Sequence, residues 1–148
     1  MSLKERIRED LKKAMKEKDE VKVRTLRMMI AAIRNLEVEK MKEASDEDVL
    51  TALQREAKKR REAIEKYEEA GREDLAEEER RELQVIESYL PEQMSEEEIE
   101  ELAKKVIEQV GASSPKDLGK VMKEIMPKVK GRADGKLVNS IVRRLLGG

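Results

Sequence analysis

The chain has 148 residues, of which 45% are charged and 1% aromatic, with a formal net charge of −1 and no His, Cys, Phe or Trp. Disulfides, thiolate or imidazole metal ligation and the usual general base of acid–base catalysis are thereby excluded. With Tyr67 and Tyr89 as its aromatics, the chain must build its core from Leu, Ile, Val, Met and Ala, a supply that predicts an all-α fold.

Ser2-Leu3-Lys4-Glu5 is a capping-box pattern, and Leu3, Ile7, Leu11 and Met15 follow at fourfold spacing, which predicts a first helix with a narrow apolar stripe. Asp19 caps a second helix over about 20–41. There Val21, Leu26, Met29, Ile30, Ile33 and Leu36 cover nearly half the circumference, as expected of a helix with more than one neighbour. Ser45 with its following acids starts a third helix that runs to about Ala70, where Gly71 supplies the stop. Arg72-Glu73-Asp74 opens a fourth, ending at Pro91, and the short connection predicts an antiparallel hairpin.

Within that hairpin Arg60 shares the apolar face of Val49, Leu53, Ala57, Ile64 and Tyr67, while Glu79 and Glu82 share that of Leu75, Leu83, Ile86 and Leu90. A turn at Gly71 sets Arg60 opposite Glu82, so Arg60 is expected to meet Glu82 or Glu79 and fix the register. The alternative is that these long side chains reach out to water. The run Lys58-Lys59-Arg60-Arg61 sweeps about 300° of helix and cannot form one patch, so it reads as structural.

Pro91 to Ser95 reads as a linker between an N-terminal helical domain, residues 1–91, and a C-terminal domain, residues 95–148. Ser95-Glu96-Glu97-Glu98 is another capping box, leading to Ile99, Leu102, Val106 and Val110 on a fifth helix closed by Gly111. Ser114-Pro115 begins a sixth, with Leu118, Val121, Met122 and Ile125 inward and Lys116, Lys120 and Lys123 outward. A seventh, after Asp134, turns Leu137, Val138, Ile141, Val142 and Leu145 inward, with Lys136 and Arg143 outward and Arg144 flanking. Lys128, Lys130 and Arg132 are expected in the turn around Gly131. That turn is no phosphate loop: its glycines are too close for the P-loop spacing and no strand precedes it.

The charge is unevenly distributed. From Pro115 onward nine Lys/Arg face only Asp117, Glu124 and Asp134, whereas residues 1–91 hold 22 basic and 24 acidic residues. A one-sign surface suits a polyanion, because each neutralised phosphate releases a counterion. A merely solvated face remains the competing account.

Several segments resemble one family. Tyr67-Glu-Glu-Ala-Gly71-Arg-Glu-Asp-Leu-Ala76, Tyr89-Leu-Pro-Glu-Gln93, Gly119-Lys-Val-Met122 and Lys130-Gly-Arg-Ala-Asp-Gly-Lys136 are similar to the YqeY family across essentially the whole chain. The C-terminal part of that family is similar to the tail domain of GatB, a subunit of the glutamine-dependent aminoacyl-tRNA amidotransferase. The resemblance implies a four-helix N-terminal part, a three-helix tail-type part associated with tRNA binding, and the family label of a carbon–nitrogen ligase with glutamine as amide donor.

Three functions follow as expectations. The first is an RNA-binding accessory module that docks tRNA or another structured RNA through Lys116, Lys120, Lys123, Lys128, Lys130, Arg132, Lys136, Arg143 and Arg144. The second is a protein-interaction adaptor using an apolar groove on the N-terminal helices, favoured by exposure of Met28, Val38 or Met41. The third is a non-catalytic component of a tRNA amidotransferase. No catalytic residue, cofactor, metal or small-molecule substrate is expected of the chain alone. No run of about 18 apolar residues occurs, and a charged start from Ser2 to Asp10 fits neither a membrane span nor a signal peptide; a cytoplasmic protein is expected.

Overall fold

A computed structural model describes all residues, Met1–Gly148, as seven α-helices and one 3₁₀ turn with no strand. The helices are α1 (Leu3–Glu17), α2 (Glu20–Lys40), α3 (Asp46–Glu69), α4 (Glu73–Glu87), α5 (Glu96–Val110), α6 (Leu118–Val129) and α7 (Gly135–Leu145), and the 3₁₀ turn at Pro115–Asp117 leads into α6. No helix is long and apolar enough to cross a membrane. Local chemistry sets the starts. Ser2, Ser45 and Ser95 each accept from the amide three residues on, while the side chains of Glu5, Asp48 and Glu98 reach back to the serine amides. These reciprocal bonds satisfy amides that have no partner inside the helix. The chain divides into two compact units, Met1–Pro91 and Glu92–Gly148.

In the first unit α2 packs on α1, α3 and α4, and α3 and α4 pack along each other. Its core includes Ile7, Leu26, Met29, Ile33, Val49, Leu53 and Ile86, with Thr25 equally buried and its Oγ1 donating to Val21 O at 2.7 Å. Burying one such Leu or Ile is worth about 1.5–3 kcal/mol, so the core dominates stability. The α1 stripe departs from expectation at its end: Ala14 is buried and Met15 is 50% exposed. At about 100° per residue, Ala14 lies about 20° from Leu3 around the helix, whereas Met15 has drifted by about 120°. A strict fourfold repeat therefore walks off the core.

The α3–α4 hairpin turns at Gly71, whose φ of +71° is the left-handed conformation that glycine adopts without strain. Ion pairs Arg80–Glu68 (3.3 Å) and Arg61–Glu87 (3.2 Å) cross between the antiparallel helices. Next to Arg61, Arg60 is only 7% exposed and has its Nε 3.3 Å from Glu82 Oε2 and 3.4 Å from Glu79 Oε2. The neighbouring cations go elsewhere, Lys59 to Glu56 and Arg61 to Glu87, so the basic run is spread around the helix. Helix α4 stops at Glu87, short of Pro91: Tyr89 N and Leu90 N bond three residues back, to Ile86 O and Glu87 O. A residue before proline is disfavoured in the α conformation, and the chain leaves the helix through these tighter turns.

In the second unit α5, α6 and α7 pack pairwise around Ile99, Ala103, Val106, Val121, Ile125, Val129, Val138, Ile141, Val142 and Leu146. Pro115 does not open the helix but a 3₁₀ turn, where Asp117 accepts from Ser113 N (2.9 Å) and Ser114 N (3.3 Å). Helix α6 continues through Pro127 to Val129, so Lys128 sits in its last turn rather than in the loop. Pro127 has no N–H to donate to Lys123 O, so the helix forgoes that bond close to its C-terminal end.

Candidate nucleic-acid interface

The cations singled out in the sequence lie on the 3₁₀ turn, α6, α7 and the loop between them. Lys116, Lys120, Lys123, Lys128, Lys130, Lys136, Arg143 and Arg144 are exposed, and Arg132 is half-buried. Helices α6 and α7 run in opposite directions. A Cβ added at Gly135 would stand 3.3 Å from Met126 Cε, and one at Gly148 would stand 2.9 Å from Arg143 Cγ and 3.5 Å from Pro115 Cγ. The end of α7 with Arg143 is thus beside the start of the α6 segment with Lys116, while Lys136 lies at the end that carries Lys128.

Two of the three acids in this region are occupied by backbone. Asp117 holds the Ser113 and Ser114 amides, and these bonds keep its carboxyl below the usual range, with a further small pull from Lys120. Asp134 caps α7 by accepting from Lys136 N at 3.3 Å. Both side chains are turned toward amide dipoles, and Glu124 is the remaining acid of the segment.

Arg132 and Arg144 have structural work. Arg132 Nε donates to Glu92 O at 3.1 Å, its carbonyl accepts from Met94 N at 2.8 Å, and Gln93 Nε2 donates to Gly131 O at 3.0 Å. These three bonds tie the segment 92–94 onto the turn, whose Gly131 has φ +78°. Arg144 Nη2 lies 3.3 Å from Glu100 Oε2 on α5. Nothing in the local sequence around Arg132 or Arg144 signals these partners, since both are distant in the chain. Lys128, Arg143 and Arg144 also occupy last turns, where cations favour the helix dipole by about 0.3–1 kcal/mol each, independent of any ligand.

The unit as a whole is balanced rather than basic. Adding Lys104 and Lys105 to the nine cations gives eleven, against ten acids, of which Glu96, Glu97, Glu98, Glu100, Glu101 and Glu108 lie on α5. Charge is unevenly distributed among the helices: α5 carries six acids with Lys104 and Lys105, while α6 and α7 carry cations with Glu124 as their one acid.

In the first unit, Val38 and Met41 are 72% and 91% exposed, and Met28 is 38% exposed. Apolar side chains therefore do reach the surface of α2 and its C-cap.

The fold and surface are those of an all-helical protein with an unevenly charged C-terminal unit. A family model described as Yqey-like protein matches residues 4–146, and the chain belongs to that family. A search of the curated proteins gave no match.

Proposed function

We propose that the second unit is a tail-type three-helix module that docks the sugar–phosphate backbone of structured RNA, tRNA in the first place. The observation that carries this reading is the exposure of Lys116, Lys120, Lys123, Lys128, Lys136 and Arg143 on consecutive elements of the second unit, while Asp117 is committed to the Ser113 and Ser114 amides. The similarity of this part to the GatB tail supports tRNA as the polyanion. Lys116, Lys120, Lys123, Lys128, Lys130, Lys136 and Arg143 form the contact set, Arg132 shapes the turn, and Arg144 divides itself between Glu100 and the ligand. Aromatic side chains are lacking on this segment, so recognition is of backbone and shape rather than by base stacking. The acids of α5 set polarity: a duplex approaching from their side is repelled, which orients docking.

An amide-transfer step is not proposed for this chain alone, because the fold by itself carries no activity. A partner that performs tRNA amidation or translation, with this chain as its accessory, is compatible with the reading.

Filter binding with unfractionated tRNA, a hairpin RNA duplex and an unstructured single strand tests it. The proposal expects tRNA and duplex to bind alike and the single strand more weakly. Equal binding of all three would remove the shape component, and no binding at low salt would end the proposal.

A further inference from the structure

A hollow of about 630 Å³ opens where α1 ends and α2 begins. Met15, Val23 and Met28 supply its apolar surface, and Lys18, Arg24, Arg27 and Glu20 stand around it. Met15 is 50% and Met28 38% exposed, as the drift of the α1 stripe dictates for Met15. Methionine side chains adapt to differently shaped apolar partners.

The walls are braced from behind. Arg24 Nε lies 3.0 Å from Glu82 Oε1 and its Nη2 3.4 Å from Glu78 Oε1, while Arg60 Nη2 donates to Met28 Sδ at 3.3 Å. Side chains already fixed in place lose less entropy when a partner arrives. Lys18 closes α1 in the left-handed conformation (φ 57°), held by its amide bond to Met15 O. Arg24 is neutralised by its glutamates, so Lys18 and Arg27 against Glu20 leave the rim with a positive surplus.

The chemistry selects the partner. Strand addition needs an open sheet edge, which this all-helical fold lacks, and polyproline recognition needs an aromatic-lined groove, whereas no Tyr lines this one. Helix-in-groove docking remains. We propose that the hollow receives an acidic amphipathic α-helix of another protein, its apolar stripe on Met15, Val23 and Met28 and its carboxylates on Lys18 and Arg27. The site lies wholly in the first unit and is independent of the RNA reading. A second copy of this chain is the less suitable occupant: its exposed Val38 and Met41 lie among Lys40 and Lys42 as well as Glu39 and Glu43, and such a head-to-tail contact does not close.

The test uses the full chain with ¹³C-methyl methionine, which gives eight methyl probes. Two synthetic helical peptides of about five turns are titrated, one with Leu at helical spacing flanked by Glu, the other with Lys at each Glu position. The expected result is that the acidic peptide shifts the Met15 and Met28 methyls and leaves Met94, Met122 and Met126 in place. Lys18→Glu with Arg27→Glu, both exposed positions, should weaken it about tenfold or more, and so should Met15→Glu. Equal binding of the two peptides, shifts confined to the second unit's methionines, or no shift at millimolar peptide would each overturn the proposal. So would concentration-dependent self-association of the free chain that Met28→Glu abolishes, because the occupant would then be a second copy.

Discussion

Replacing Arg60 by Met keeps the stem and removes the guanidinium from beneath Glu79 and Glu82. Glu82 is 6% exposed and Glu79 is half-buried, so the loss strands two carboxylates near each other in poor solvent. Removing one partner of a buried pair costs about 3–5 kcal/mol. Three features place this case near the lower end of that range. Arg24 still holds Glu82 at 3.0 Å; Glu79 is pushed above the usual carboxylate range by burial and by Glu82, so it can take up a proton; and Arg60 Nε is near both carboxylates without a directed hydrogen bond to either. A loss of about 3 kcal/mol is expected at neutral pH. Adding Glu79→Gln and Glu82→Leu to Arg60→Met should restore most of it, since an apolar replacement of a whole buried pair is often neutral or better. Urea unfolding followed by tyrosine emission is the assay, because Tyr67 and Tyr89 both lie in the first unit and the chain has no Trp. A loss under about 1 kcal/mol for Arg60→Met would show that the side chain reaches water in solution, and the register argument would fail.

Further consequences are measurable with the same signal or with circular dichroism. Tyr89 donates to Asp10 Oδ2, and burial with this bond pushes its hydroxyl pKa up; Phe at this position should cost about 1.5 kcal/mol, the worth of a hydrogen bond to a charged group, and a neutral result would contradict it. Met41 is 91% exposed with φ 55°, so Met41→Gly should raise stability by about 0.5–1 kcal/mol, whereas a loss would mean that its side chain is in contact in solution. Asp48 is held at about 2 by its bond to Lys40 Nζ and by the Ser45 amide. Its folded value lies below the unfolded one, so its contribution is present above about pH 4 and lost as pH falls toward 2; Asp48→Asn should flatten that acid limb. Glu79 acts with the opposite sign, its raised value favouring the fold as pH falls from neutral, so Glu79→Gln should be most stabilising at neutral pH.

Features written in a few adjacent residues were legible in the sequence. The boxes at Ser2, Ser45 and Ser95, the Gly71 and Gly111 stops and the Asp134 cap need only three or four residues, and each stands where the pattern puts it. The Arg60 contacts were also accessible, because a short turn fixes which residues of two straight helices face each other. Helix phase over several turns was less so: a fourfold repeat hides its drift and points to Met15 where the core holds Ala14. Bonds between distant residues left no local trace. Arg132 to Glu92 O and Arg144 to Glu100 depend on how α5 lies against the α6–α7 pair, and amphipathicity says only which face is buried. The acids of α5 and the cations of α6 and α7 can be assigned to their helices from the sequence, but which of them meet, as Arg144 and Glu100 do, is set by the packing.

The account of the second unit depends on exposed cations meeting phosphate, and salt dependence measures that most directly. Binding of tRNA should be titrated over a range of salt with the wild type and with Lys120→Glu, Lys123→Glu and Lys136→Glu combined, all exposed and outside the bonds made by Arg132. The account predicts a steep linear fall of log K with log salt for the wild type, and a slope shallower by about 3 for the variant, near one unit for each phosphate contact removed. Equal slopes for the two proteins, or binding that does not respond to salt, would contradict it.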